Sequence, residues 1–153
     1  MNRANAVVSE LQRVLRERRE RQELDRMLRD ASEVVTMHTL SSASVPERVM
    51  EAVRRFWDMS TEPNATLSDE VSQETLDAWV EELLPSHGFH TSAFLYTELE
   101  LAPWIEFNLP QAWFSSIRQA KDTPWVFLAH DLSTVAAVSE QEYRFEFFVA
   151  RVV

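Results

Sequence analysis

Apolar residues in the first 36 positions recur at helical spacing, but they fall into two groups that do not share a face. Val7, Val8, Leu11, Val14 and Leu15 form the first, and Leu24, Met27, Leu28, Ala31, Val34 and Val35 the second, with the charged run RERRERQE between them. Good helix formers and four-residue charge pairs such as Arg13/Glu17 and Arg26/Asp30 predict a helix from about Ala4 to Thr36, within a long helical segment covering residues 1–40. At about 100° per residue, the two stripes of a straight helix point in nearly opposite directions. Either the helix bends or breaks near Arg18–Glu23, or one stripe packs on the body while the other meets another chain, as in a homodimer through this helix. The bend is the expectation, because compensation inside a domain is commoner than a helix-mediated contact.

Ser41–Ser44 is a polar linker, and Ser44 with Glu47 has capping-box spacing, so a second helix is expected with Val49, Met50, Val53, Phe56 and Trp57 on its face. After a loop holding Pro63 and Asn64, a third helix is expected over Gln73–Leu84, capped by Ser72 or Ser68 and ended by Pro85 and Gly88. From Thr91 the apolar period becomes two, predicting a strand carrying Ala93, Leu95, Leu99 and Leu101 and another carrying Ile105, Phe107 and Leu109, with Pro103 between them as either a tight turn or a bend in an edge strand. A short helix over Asn108–Ala120, a strand over Trp125–His130 and a hairpin of Thr134–Val138 with Tyr143–Val152 complete the chain. Helices first and strands later predict one α+β domain over residues 1–153. Its N-terminal helices pack on one face of a mainly antiparallel sheet of about five strands.

Composition narrows the function classes. The hydrophobic share of 45% excludes global disorder. The lack of cysteine removes disulfides, thiolate nucleophiles and cysteine metal sites. A single glycine, Gly88, argues against phosphate-cradling loops, dinucleotide turns and nucleophile elbows, all of which need glycine-like backbone freedom. Lys121 is the one lysine beside fourteen arginines, a bias that reads as genomic base composition. The N-terminus does not read as a secretory signal and no apolar run has membrane-spanning length, so the expectation is a cytoplasmic protein with no membrane partner.

Charge is unevenly placed. Residues 1–55 hold eleven arginines against nine acids, whereas residues 56–153 hold four basic residues against sixteen acids, and no Lys or Arg occurs between Phe56 and Ile117. This cation-free window disfavours direct nucleic-acid binding. It either solubilises the protein or faces a cationic partner.

Three constellations carry candidate chemistry. His87 and His90 stand three apart at a helix end, where Glu98 or His130 would have to supply a third metal ligand; two imidazoles in a turn do not make a site, and neither a metal nor a cofactor is expected. His130 beside Asp131 at a strand end suggests a general base with Glu98 or Glu100 as acid, although adjacent strand residues point to opposite faces. Tyr96, Glu98, Glu100, Trp104 and Glu106 share a face if their two segments pair, combining aromatic anchors with carboxylates. The plain alternative for this third set is a solvated sheet face. The expectation that best joins these features is a non-enzymatic binding protein whose acidic surface engages a basic protein partner, in the manner of a bacterial immunity protein that inhibits a nuclease toxin. A secretion-type chaperone for an effector, an adaptor subunit of a larger assembly, and a small hydrolase-like enzyme using His130 with Glu98 or Glu100 are the alternatives.

Overall fold

A computed structural model describes residues 3–153; Met1 and Asn2 lie outside the described residues. The elements run α1 (Arg3–Asp30), β1 (Val35–Leu40), α2 (Glu47–Phe56), β2 (Ala65–Ser68), α3 (Gln73–Leu83), β3 (Ser92–Tyr96), β4 (Trp104–Asn108), α4 (Phe114–Ala120), β5 (Trp125–Ala129), β6 (Thr134–Gln141) and β7 (Arg144–Arg151). The strands form one sheet in the order β1-β4-β3-β5-β6-β7-β2, antiparallel at every pairing. The fold is α+β, with four helices packed on a seven-stranded antiparallel sheet.

Sheet coverage follows from the central strands. Every residue of β5 is buried, as are the first six of β6, so both faces must be kept from water. On one face Leu95, Ile105, Phe107, Trp125, Phe127 and Phe147 pack beneath α3, α4 and the C-terminal part of α1. On the other, Phe94, Trp104, Val126, Leu128, Val135 and Phe148 meet Val49, Ala52, Val53 and Phe56 of α2. Coverage of a single face, as expected from the sequence, is therefore corrected: α2 crosses to the far side. Each large side chain buried in this way contributes about 1.5–3 kcal/mol.

The two strands absent from the sequence reading, β1 and β2, are the sheet edges: neither has a fully buried residue, β1 lacks alternation, and β2 alternates but is only four residues long. The helical segment expected to residue 40 accordingly stops at Asp30, and the β-branched run beginning at Val34 pairs with β4 instead. α3 begins as expected, with Ser72 Oγ accepting from the Thr75 N–H at 3.2 Å. The other two helix starts differ. Ser44 belongs to a 3-10 turn facing Ser41, so α2 starts behind Pro46 without a side-chain cap. α4 starts only at Phe114, whose N–H donates to Glu81 Oε1 of α3 at 3.0 Å. Arg118 then fastens α4 to α3 through a two-pronged pair with Asp77, both contacts at 2.9 Å.

α1 overturns the expected bend. It runs unbroken for 28 residues, and only its C-terminal part meets the body, through buried Leu24 and Met27 and the donation from Arg26 to the Ala120 carbonyl at 3.0 Å. The first stripe stays outside, with Val7, Val8, Leu11, Val14 and Leu15 between 46% and 66% exposed.

A chain with one glycine makes its tight turns with other residues. Glu98, Tyr143, Ala112 and Leu132 adopt positive φ in turns and loops, and Met37 does so inside β1, where the register with β4 shifts. In the two-residue link between β6 and β7, Tyr143 has φ 76° and is 76% exposed, so its side chain gains little while its backbone is strained. Tyr143→Gly is expected to raise stability by about 1 kcal/mol. By contrast, Met27→Ala should lower it by about 2–4 kcal/mol, as for a core cavity. Urea unfolding measures both, and a neutral Met27→Ala would show that α1 does not pack as described.

Candidate functional site

The two segments do pair as a β3–β4 hairpin, with Phe94 opposite Glu106 and Tyr96 opposite Trp104. β3 ends at Tyr96, short of the strand expected to reach Leu101, so Glu98 and Glu100 belong to the connecting loop, 97–103, rather than to a strand. That loop is built by its own side chains: Thr97 Oγ1 donates to the Ala102 carbonyl at 2.5 Å and accepts from the Leu99 N–H at 3.1 Å.

Two outside contacts fasten it. Lys121, buried at the end of α4, donates from Nζ to Glu98 Oε2 at 2.9 Å and to the carbonyls of Pro124 and Asp122 at 3.0 and 3.3 Å. A buried ammonium is tolerable only when its donors are satisfied, and here all three are. The lone lysine thus has a structural role that composition did not reveal. From the other side, the Glu20 carboxylate of α1 accepts from the backbone N–H groups of Leu101 at 2.9 Å and Glu100 at 3.3 Å.

The fastened loop forms one wall of a cleft of about 860 Å³, and the N-terminal part of α2 with the segment before it forms the other. Tyr96, Trp104, Met50 and Leu99 supply apolar lining. Glu47, Glu51, Glu98 and Glu100 supply four carboxylates against one guanidinium, that of Arg54. Burial, and then the negative charge of Glu98, raises the Tyr96 phenol above its ordinary pKa, so the ring presents a neutral hydroxyl.

Of the five residues singled out in the sequence, Tyr96, Glu98, Glu100 and Trp104 line this cleft. Both glutamates are exposed and Tyr96 is half-buried, but Trp104, expected as an interface anchor, is 1% exposed and lies tilted against Tyr96 at 4.9 Å as part of the floor. Glu106 is not among the lining residues. It accepts from Thr36 Oγ1 at 2.6 Å, with His130 Nε2 at 3.5 Å and His38 Nδ1 at 3.9 Å. Glu47, Glu51 and Arg54 were not legible as site residues, because they lie some fifty positions before the hairpin on a helix whose crossing to this face no local pattern announces.

The histidine pairs separate. His130 stacks on Phe94 and faces Glu106, while Glu98 is held by Lys121, so each member of the expected acid–base pair has another partner. Asp131 does not orient His130 either. Its Oδ1 accepts from the Ser133 backbone N–H and hydroxyl, which lowers its carboxyl below the usual range. His87 lies against the Phe147 ring and His90 is exposed. Among the described residues, no group of three or more His, Asp or Glu is placed to hold a metal ion, and no helix is long and apolar enough to cross a membrane.

Compared with known proteins, the chain matches no protein-family model, no curated protein and no solved structure.

If Lys121 is what holds the loop, Lys121→Met should cost about 1–2 kcal/mol, since Glu98 is largely exposed and the pair is partly screened. Amide exchange should rise selectively at Thr97 and Leu99. Unchanged protection there would show that the loop stands without the lysine.

Proposed function

We propose that this chain is a non-enzymatic binding protein that receives a basic protein surface in the cleft between α2 and loop 97–103. The observation that carries this reading is the pairing of four carboxylates with an apolar floor in one cleft of about 860 Å³. Apolar lining gives an inserted side chain something to pack against, and surrounding carboxylates favour a ligand that carries cations beside its apolar groups. The loop wall is fixed by Lys121 and Glu20, so little order has to be gained on binding.

The uneven charge supports the same direction, because residues 56–153 carry twelve more acids than bases and draw positive partners over a longer range. An inhibitor of a nucleic-acid-directed toxin fits this description, since the cationic cleft of such a toxin is a complementary surface. A chaperone or adaptor holding a basic client segment uses the same chemistry and differs in the partner rather than in the site.

The charge test falls on Glu47 and Glu100, because reversing Glu98 would also disturb Lys121 inside the body. The double substitution Glu47→Lys with Glu100→Lys should leave the melting temperature near that of the wild type and weaken binding of a co-purifying basic protein at least tenfold. Raising salt should slow association of the wild type, since steering is screened beyond about 8 Å at physiological ionic strength. An undiminished affinity in the double variant, or a partner whose contact surface is acidic, would overturn this reading.

A further inference from the structure

The exposed part of α1 has the chemistry that the cleft selects. Residues 3–19 carry five arginines against two glutamates, while the rest of the chain, from residue 20 to 153, carries ten basic residues against twenty-three acids. Both glutamates of the segment are spent locally, because Arg13 pairs with Glu10 and with Glu17. At about 100° per residue, Arg13 lies opposite the apolar stripe and Glu10 and Glu17 border it on the Arg13 side, whereas Arg18 continues the stripe and Arg19 flanks it on the other edge. The stripe thus presents Val7, Val8, Leu11, Val14 and Leu15 followed by two exposed guanidinium groups, and the carboxylates bordering it are the two that Arg13 pairs with.

Five exposed aliphatic side chains in one stripe make an apolar surface of the kind that marks a contact site on a monomer. The body does not cover it, since every residue from 3 to 19 is exposed.

We infer that the stripe of one copy seats in the acidic cleft of a second copy, so that the chain is its own basic partner when no other is present. The inference rests on the reading of the cleft as a site for cationic, apolar surfaces. Position favours reciprocity, because Glu20, at the point where α1 leaves the body, is bonded to the loop that walls the cleft. Donor and acceptor therefore sit side by side on each copy. An exchange about a two-fold axis fills both clefts and closes the assembly, whereas a head-to-tail arrangement would stay open. The exposed segment spans roughly 25 Å, enough to lie across a neighbouring cleft. A basic protein that enters the cleft must then displace the helix, which makes self-association a competitor of partner binding.

Sedimentation of the full-length protein with charge-swapped variants tests this. Wild type should be a dimer at micromolar concentration. Arg18→Glu with Arg19→Glu should be monomeric, and so should Glu47→Lys with Glu100→Lys, while an equimolar mixture of the two variants should recover a heterodimer through the one interface whose charges again match. A dimer that survives the cleft substitutions but not Leu11→Glu would mean that helix packs on helix, and would overturn the inference. A wild type that stays monomeric at all concentrations would also overturn it, while leaving the cleft reading intact if a basic protein still binds there. Failure of the cleft reading shows separately, as a dimer indifferent to Glu47 and Glu100 together with no binding of any basic protein.

Discussion

The double-sided burial of β5 organises this molecule. Trp125, Val126, Phe127, Leu128 and Ala129 alternate between the two faces of the sheet, and all five are buried. A strand apolar on both sides cannot tolerate a solvated face, so the helices must divide. α1, α3 and α4 take one side and α2 the other. The cleft is a consequence, because α2 meets the sheet alone and leaves a gap between its first turns and the β3–β4 connection.

That gap keeps its shape because its second wall is fastened from the opposite side of the sheet. Lys121 reaches Glu98 from the end of α4, and Glu20 holds two backbone N–H groups from α1. Both anchors belong to elements packed on the helix-rich face, so the packing there determines the geometry of a cleft lined by α2. Glu98 also holds a left-handed backbone, φ 66°, which its ion pair and the turn hydrogen bonds of Thr97 help to maintain.

Electrostatic asymmetry gives the architecture its direction. The body is strongly acidic, yet the projecting part of α1, residues 3–19, is basic, and its two glutamates both pair with Arg13. A surface that is cationic and apolar and a cleft that is anionic and apolar occur on one chain, near each other. This is the physical basis of the two proposals made for the cleft, self-association and the capture of a basic partner.

Local patterns in the sequence determined what local physics controls. Period-two alternation marked β3 and β4 while leaving their pairing open, Ser72 marked the start of α3, and the two divergent stripes of α1 were visible as such. The edge strands β1 and β2 were not visible, because half-solvated β1 shows no clear alternation and β2, which does alternate, is only four residues long. Only tertiary structure decided that α1 stays unbroken and leaves its first stripe outside, since the cost of exposing five aliphatic residues depends on whether anything else can cover them. It alone also decided the membership of the cleft: Glu47, Glu51 and Arg54 joined the hairpin residues, Trp104 sank into the floor, and Glu106 turned to Thr36 and His130. Residues from α2 and from the hairpin meet because a two-sided core placed α2 there, and long-range packing of that kind leaves no periodic signature in the chain.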